Sequence, residues 1–163
     1  MRRAQRDAEF ELYVAAARPR LRRLAYSLCG DWHTADDVVQ TALAKLYVAW
    51  PRVSRASNQD AYVRRTVART TIDEARRPWR REHSGLDGLD REAVGMDVAD
   101  REDLVAALQR LPEMQRKTVV LRHWLGLSVS ETAHDLGIAE GTVKSHTSRA
   151  LSALHELMSE VER

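Results

Sequence analysis

Two adjacent carboxylates are raw material for a metal site or an acid/base pair, and Asp36-Asp37 is such a pair. Either chemistry needs a histidine or a third acid at matching spacing, and none falls there. The 6 histidines are scattered, with no H-E-x-x-H, and there is no G-x-S-x-G, no phosphate-binding glycine loop and no C-x-x-C. Asp87 and Asp90 lie among glycines without the spacing of a calcium loop. The residues predict no enzyme, no metal and no cofactor. The chemistry that the side chains do support is recognition of nucleic acid. Arg65, Arg69, Arg76 and Arg80 are spaced 4, 7 and 4 apart, which places them on one face of a helix. Asp73 falls between them, where it can pair with Arg69 or Arg77. A second set is Lys144, Ser145, Ser148 and Arg149. Lysine and arginine reach guanine acceptors or phosphates, and serine reaches either. For the arginine set a solvated, salt-bridged helix face is the default reading of the residues alone, and for the second set the competing reading is an ordinary helical hairpin with a solvated outer face.

The second set sits in the clearest local pattern of the chain. Ser128-Val129-Ser130-Glu131 has the S-x-x-E form of a capping box, which opens a short helix with Ala133 and Leu136 as its core positions. Gly137 supplies a left-handed residue for a tight turn, and Ile138 packs into the corner. A second helix then starts near Glu140 and buries Val143, Thr147, Ala150, Leu151 and Leu154. This is the helix-turn-helix pattern, running from about Ser128 to Leu154. Its second helix would enter the major groove with its N-terminal residues, including Glu140, Gly141 and Thr142, toward base edges.

The rest of the chain is helical as well. Ala35, Val38, Val39, Ala42, Leu43, Leu46, Tyr47 and Trp50 form an i, i+3, i+4, i+7 stripe. Thr34 is the expected N-cap of that helix, with Asp36 and Asp37 in its first turn, and Pro51 is expected to end it. A preceding helix is expected over about Ala8 to Leu28, closed by Gly30 and kinked or split at Pro19. A loop over Ser54–Gln59 leads into a long helix from Asp60 to Arg77 with an apolar face of Val63, Val67, Thr71, Ile72 and Ala75. Near the C-terminal half, Leu104, Val105, Leu108 and Leu111 mark another helix. Pro112 is placed as the first residue of the next, which runs from Glu113 to Trp124 and ends at Leu125-Gly126.

Net charge is only +2, yet its distribution is uneven. Residues 1–80 hold 16 Lys and Arg against 9 Asp and Glu, residues 81–113 hold 4 against 9, and residues 114–163 hold 6 against 6. Residues 81–99 carry glycines and acids with no helical stripe, and read as a flexible acidic linker. The expected architecture is all-α: a domain over 1–80, the linker over 81–99 and a domain over 100–163 that ends in the helix-turn-helix. Cys29 has no partner for an internal disulfide and reads as a buried thiol. No apolar run reaches the ~18 residues of a membrane span and no signal peptide opens the chain, so a soluble cytoplasmic protein is expected.

The string from Leu127 to Leu151, Leu-Ser-Val-Ser-Glu-Thr-Ala-His-Asp-Leu-Gly-Ile-Ala-Glu-Gly-Thr-Val-Lys-Ser-His-Thr-Ser-Arg-Ala-Leu, resembles the −35-reading domain of sigma-70-family transcription initiation factors. The nearest resemblance is to the small extracytoplasmic-function type and its SigE-like actinobacterial group. Leu111-Pro112-Glu113-Met114-Gln115-Arg116 is similar to the entry of that domain. Cys29 to Gln40 resembles the family's core-polymerase-binding helix, and Arg76-Arg77-Pro78-Trp79-Arg80-Arg81 the end of its −10-reading helix.

The resemblance implies core RNA polymerase and promoter DNA as partners, with an anti-sigma factor as a third candidate. It implies −35 contacts by Glu140, Gly141, Thr142, Lys144, Ser145, Ser148 and Arg149. It implies −10 contacts by Arg65, Arg69, Asp73, Arg76, Arg77, Trp79 and Arg80, with Asn58 holding a flipped base. Tyr62 is a further aromatic in reach. Polymerase contacts fall to Asp36, Asp37, Gln40 and Lys45. Two residues depart from the family pattern. Ala139 stands where serine usually caps the recognition helix, a loss of roughly 1 kcal/mol that Glu140 partly offsets. His146 stands where arginine is usual. Both imply a recognition helix too weak to work without polymerase. A dimeric repressor and a helical adaptor protein are the rival readings.

Overall fold

A computed structural model describes residues 2–75 and 99–163. The chain divides into two compact units, Met1–Arg91 and Glu92–Arg163. The described residues form seven α-helices and one π turn, with no strand. The residues expected to form the linker lie outside them, except Ala99, which opens a helix.

The first unit packs α1 (Arg3–Cys29), α2 (Trp32–Val53) and α3 (Gln59–Ala75) against one another. Leu21, Leu24 and Leu28 of α1, Val38, Val39, Leu46 and Trp50 of α2, and Val63, Val67 and Ile72 of α3 fill its core. Each such side chain contributes ~1.5–3 kcal/mol on burial. An aromatic cluster closes one end. Phe10 meets Tyr47 and Trp50 edge-on at 5.4 and 5.3 Å, and Tyr13 meets Trp50 at 5.2 Å.

Several boundaries differ from the sequence expectation. The N-cap of α2 is Asp31, not Thr34: the Asp31 carboxylate accepts from the Thr34 backbone N–H at 3.0 Å and from its hydroxyl. Because α2 starts three residues before Ala35, Asp36 and Asp37 fall beyond the first turn, where the helix dipole favours acids less. Pro51 does not end α2, which continues to Val53. A proline inside a helix costs about 3 kcal/mol, and burial of Trp50 and Val53 on either side offsets it. Pro19 does not split α1; it is exposed, so the backbone acceptor it leaves unpaired on that solvent side can be served by water. Gly30 ends α1 as expected, at φ 73° with its N–H donating to the Tyr26 carbonyl. Cys29 is half-buried rather than buried, and its thiol donates to the Asp31 carbonyl at 3.3 Å.

The second unit contains α4 (Ala99–Gln109), α5 (Glu113–Val119), a π turn over Val120–Trp124, α6 (Val129–Leu136) and α7 (Glu140–Val161). Leu108, Leu111, Val120, Leu121, Leu136, Val143, Ala150 and Leu154 are buried together. Pro112 is the cap of α5 rather than its first residue. The single helix expected over Glu113–Trp124 widens at Val120, where Leu125 N–H reaches back five residues to the Val120 carbonyl, before Gly126 ends it at φ 70°. Leu104 and Leu151, both expected in the core, are 37% and 42% exposed.

Candidate nucleic-acid interface

The corner between α6 and α7 is built by local hydrogen bonds. The Ser128 hydroxyl accepts from Glu131 N–H at 3.0 Å, and the Glu131 carboxylate accepts from Ser128 N–H at 3.2 Å. These are both halves of the capping box. At the other end Gly137 takes φ 66°, ψ 38°. Its N–H donates to the His134 carbonyl, and Ile138 N–H donates to the Ala133 carbonyl at 3.1 Å. This six-to-one and five-to-two pairing is a Schellman motif. The Arg122 guanidinium donates to the Leu127 carbonyl, fixing the chain just before the cap.

α7 leaves that corner with Ala139 as an N-cap that offers no side-chain acceptor. Val143, Ala150 and Leu154 face inward, while Thr147 and His146 are half-buried. Glu140, Gly141, Thr142, Lys144, Ser145, Ser148 and Arg149 are all exposed. At 100° per residue six of these fall on the side of α7 turned away from its core, and Glu140 is exposed at the core's edge in the first turn. A face carrying two cations, two serines and an acid at the start of a helix can sit in a major groove and donate to phosphates and base edges.

In the first unit, Asp36 is held rather than free. It accepts from Arg22 through both guanidinium branches, at 2.5 and 3.3 Å. The Arg22 guanidinium also lies 4.5 Å over the Trp32 ring, which stacks on Tyr26 at 3.9 Å. Asp37 and Gln40 are exposed on α2. Lys45 is exposed, and its ammonium donates to the Thr70 hydroxyl on α3 at 3.4 Å. The same face continues through Ala44 to Val48, which is 80% exposed. An alternating apolar stripe reads only as core in sequence, so nothing there singled out an outward valine.

Asn58 caps α3: its side-chain oxygen accepts from Ala61 N–H at 3.1 Å, leaving the amide donors for a ligand. Beside it the loop is held by turns, with Arg55 and Ala56 N–H donating to the Arg52 and Val53 carbonyls. Asp60, in the first turn of α3, accepts from Tyr13 at 2.7 Å and Arg20 at 2.8 Å. Burial and the Asp60 hydrogen bond push the Tyr13 hydroxyl up to about 12. Tyr62 is 39% exposed and its hydroxyl accepts from Arg52 at 3.2 Å. Arg52 and Arg55 are exposed basic groups beside this loop that the sequence reading did not select. Arg69 and Asp73 are exposed, whereas Arg65 is half-buried. Arg76, Arg77, Trp79 and Arg80 lie outside the described residues.

Among the described residues no three His, Cys, Asp or Glu side chains gather, and no helix is long and apolar enough to cross a membrane.

Comparison with known proteins finds two family matches along the chain. The sigma-70 region 2 family matches residues 13–81, and the sigma-70 region 4 family matches residues 101–154. The RNA polymerase sigma-E factor of Streptomyces coelicolor is 39% identical over 150 residues, covering 91% of this chain and 85% of its own length. The ECF RNA polymerase sigma factor EcfG of Rhodopseudomonas palustris is 33% identical, covering 89% and 82%. The solved structure of the sigma factor RpoE, in complex with the anti-sigma factor NepR from Bartonella quintana, is 31% identical with a TM-score of 0.62, covering 95% of this chain and 99% of that one. Two promoter-factor regions in order, and relatives matched along nearly their whole length, leave one conclusion. The chain belongs to the extracytoplasmic-function sigma factors of the sigma-70 family, and it binds core RNA polymerase and directs transcription initiation at promoters.

Proposed function

We propose that residues 100–163 read the −35 element, that residues 1–80 hold core polymerase and open the −10 element, and that residues 81–99 join the two. The outward face of α7 carries this reading. Its seven exposed residues, Glu140, Gly141, Thr142, Lys144, Ser145, Ser148 and Arg149, project from a helix that leaves α6, itself capped at both ends by the Ser128 box and the Gly137 turn. Lys144 and Arg149 neutralise phosphates or read guanine, and Ser145 and Ser148 bond to either.

In the first unit Asp37, Gln40 and Val48 form the polymerase face, with Lys45 at its edge and Asp36 tying α2 to α1 through Arg22. Asn58 offers its amide donors to an extruded base, and Arg65, Arg69, Arg76, Arg77 and Arg80 follow the backbone of the melted strand. Trp79 stacks on a base, and Asp73 orients the neighbouring guanidinium groups. The chain supplies recognition only; nucleotide addition belongs to the polymerase, in the cytoplasm. An anti-sigma factor that covers these faces would silence it, as the Bartonella relative's partnership suggests.

Run-off transcription with purified core polymerase tests the reading. A promoter-specific transcript is expected only when this chain is present, and its absence on every cognate promoter would overturn the reading. A dimeric repressor would instead bind duplex DNA alone at physiological salt. A purified anti-sigma partner added to the reaction is expected to abolish the transcript.

A further inference from the structure

The described residues include four glycines, and three of them answer to their backbone: Gly30, Gly126 and Gly137 have φ of 73°, 70° and 66°. Gly141 does not. It lies inside α7, in the second helical position, with no left-handed backbone to accommodate. Its neighbours do not demand it either, because a Cβ built there meets no atom within 4 Å. A glycine in a helix interior is about 1 kcal/mol worse than alanine, and one in the first turn costs part of that. The fold therefore bears a cost at this position for which nothing inside the unit gives a reason. The position is also exposed and lies between Glu140 and Thr142 on the outward face of the recognition helix.

We infer that Gly141 is a close-approach position, where duplex DNA passes within van der Waals contact of the main chain of α7 and a methyl group would hold it off. The inference rests on the −35 reading proposed above. Its logic is steric. Glycine is the residue that lets backbone and ligand meet without a side chain between them, and a methyl forced into a packed contact typically costs as much as a core overpacking change. Gly141 then sets how deeply α7 seats, and so whether Lys144, Ser145 and Arg149 reach their partners.

The signature is a pair of effects of opposite sign. Gly141→Ala should raise the melting temperature of the free protein by a few degrees, about what a removed helix glycine gives in a domain of this size. In holoenzyme with core polymerase, the same substitution should weaken binding to a promoter with a −35 element by about tenfold or more. On a pre-melted −10 template lacking a −35 element it should change nothing. Ser152→Ala, an exposed α7 position about three turns beyond Gly141 and past the last residue of the proposed contact set, should raise stability without weakening promoter binding. Unchanged or tighter −35 binding by Gly141→Ala would overturn the inference, and so would a fall in melting temperature, which would show that the fold needs the glycine. Lys144→Ala with Arg149→Ala in the same assay separates the two claims. If that pair also leaves −35 binding intact, the −35 reading itself fails; if it weakens binding while Gly141→Ala does not, only the close-approach inference fails.

Discussion

Arg22 and Asp36 form a two-branched ion pair that ties the C-terminal third of α1 to the second turn of α2. The Arg22 guanidinium meanwhile lies over Trp32. The pair fixes the direction in which α2 leaves its corner, and with it the orientation of Asp37, Gln40 and Val48. Because it is half-exposed, it contributes at most about 1 kcal/mol. Asp36→Asn is expected to lower the melting temperature by a few degrees, while Gln40→Ala leaves it unchanged. Competition binding to core polymerase should show the reverse order, with Gln40→Ala losing more affinity than Asp36→Asn. Equal losses in both assays would place Asp36 in the polymerase interface itself.

Val48 gives a sharper probe of the same face. It is 80% exposed, so Val48→Asp removes no core packing and should leave thermal stability within about 0.5 kcal/mol of the parent. Placing a charge in an apolar contact should nevertheless cut affinity for core polymerase by tenfold or more. Full affinity in a fluorescence-anisotropy titration would exclude Val48 from the interface.

Tyr13 makes stability depend on alkaline pH. Burial, followed by its hydrogen bond to Asp60, raises its pKa from 10.0 to about 12 in the folded state. A raised folded pKa means that the neutral form is favoured on folding. Its contribution is therefore fully present below pH 10 and lost as pH climbs through 12. The melting temperature should fall between pH 10 and 12 in the parent and fall less steeply in Tyr13→Phe. Parallel curves would show that the phenol does not couple to folding.

Ala139 leaves the recognition helix without a side-chain cap. Ala139→Ser should restore an acceptor for the first-turn amides and add about 1 kcal/mol. That corresponds to a rise of about 4–8 °C for a unit of this size, measured by calorimetry. No rise would mean that Glu140 already supplies the missing stabilisation through the helix dipole.

What the sequence disclosed depended on how local the physics was. The capping box at Ser128 and Glu131, the left-handed Gly137 and the closing Gly30 are each determined within a few residues, and each stands where it was expected. Pro51 and Pro19 stay inside their helices because tertiary burial and solvent access decide their cost, and neither is written beside the proline. Thr34 and Asp31 both suit a cap; the choice fell to Asp31 because its carboxylate reaches Thr34 by backbone and hydroxyl together. The aromatic cluster of Phe10, Tyr13, Tyr47 and Trp50 joins residues some 40 positions apart and left no trace in any short window. Asn58 was legible as a loop polar residue, but its hydrogen bond to Ala61 shows that it first serves α3.

The Schellman corner at Gly137 and the capping box at Ser128 close through hydrogen bonds that span no more than six residues, and none of the outward side chains of α7 takes part in either. The joint that aims the helix is thus insulated from the letters the helix displays. Substitutions at Lys144, Ser145, Ser148 or Arg149 can drift freely without loosening the hinge. A lineage carrying this unit can acquire a new promoter vocabulary one residue at a time, each intermediate still folded and still presented at the same angle.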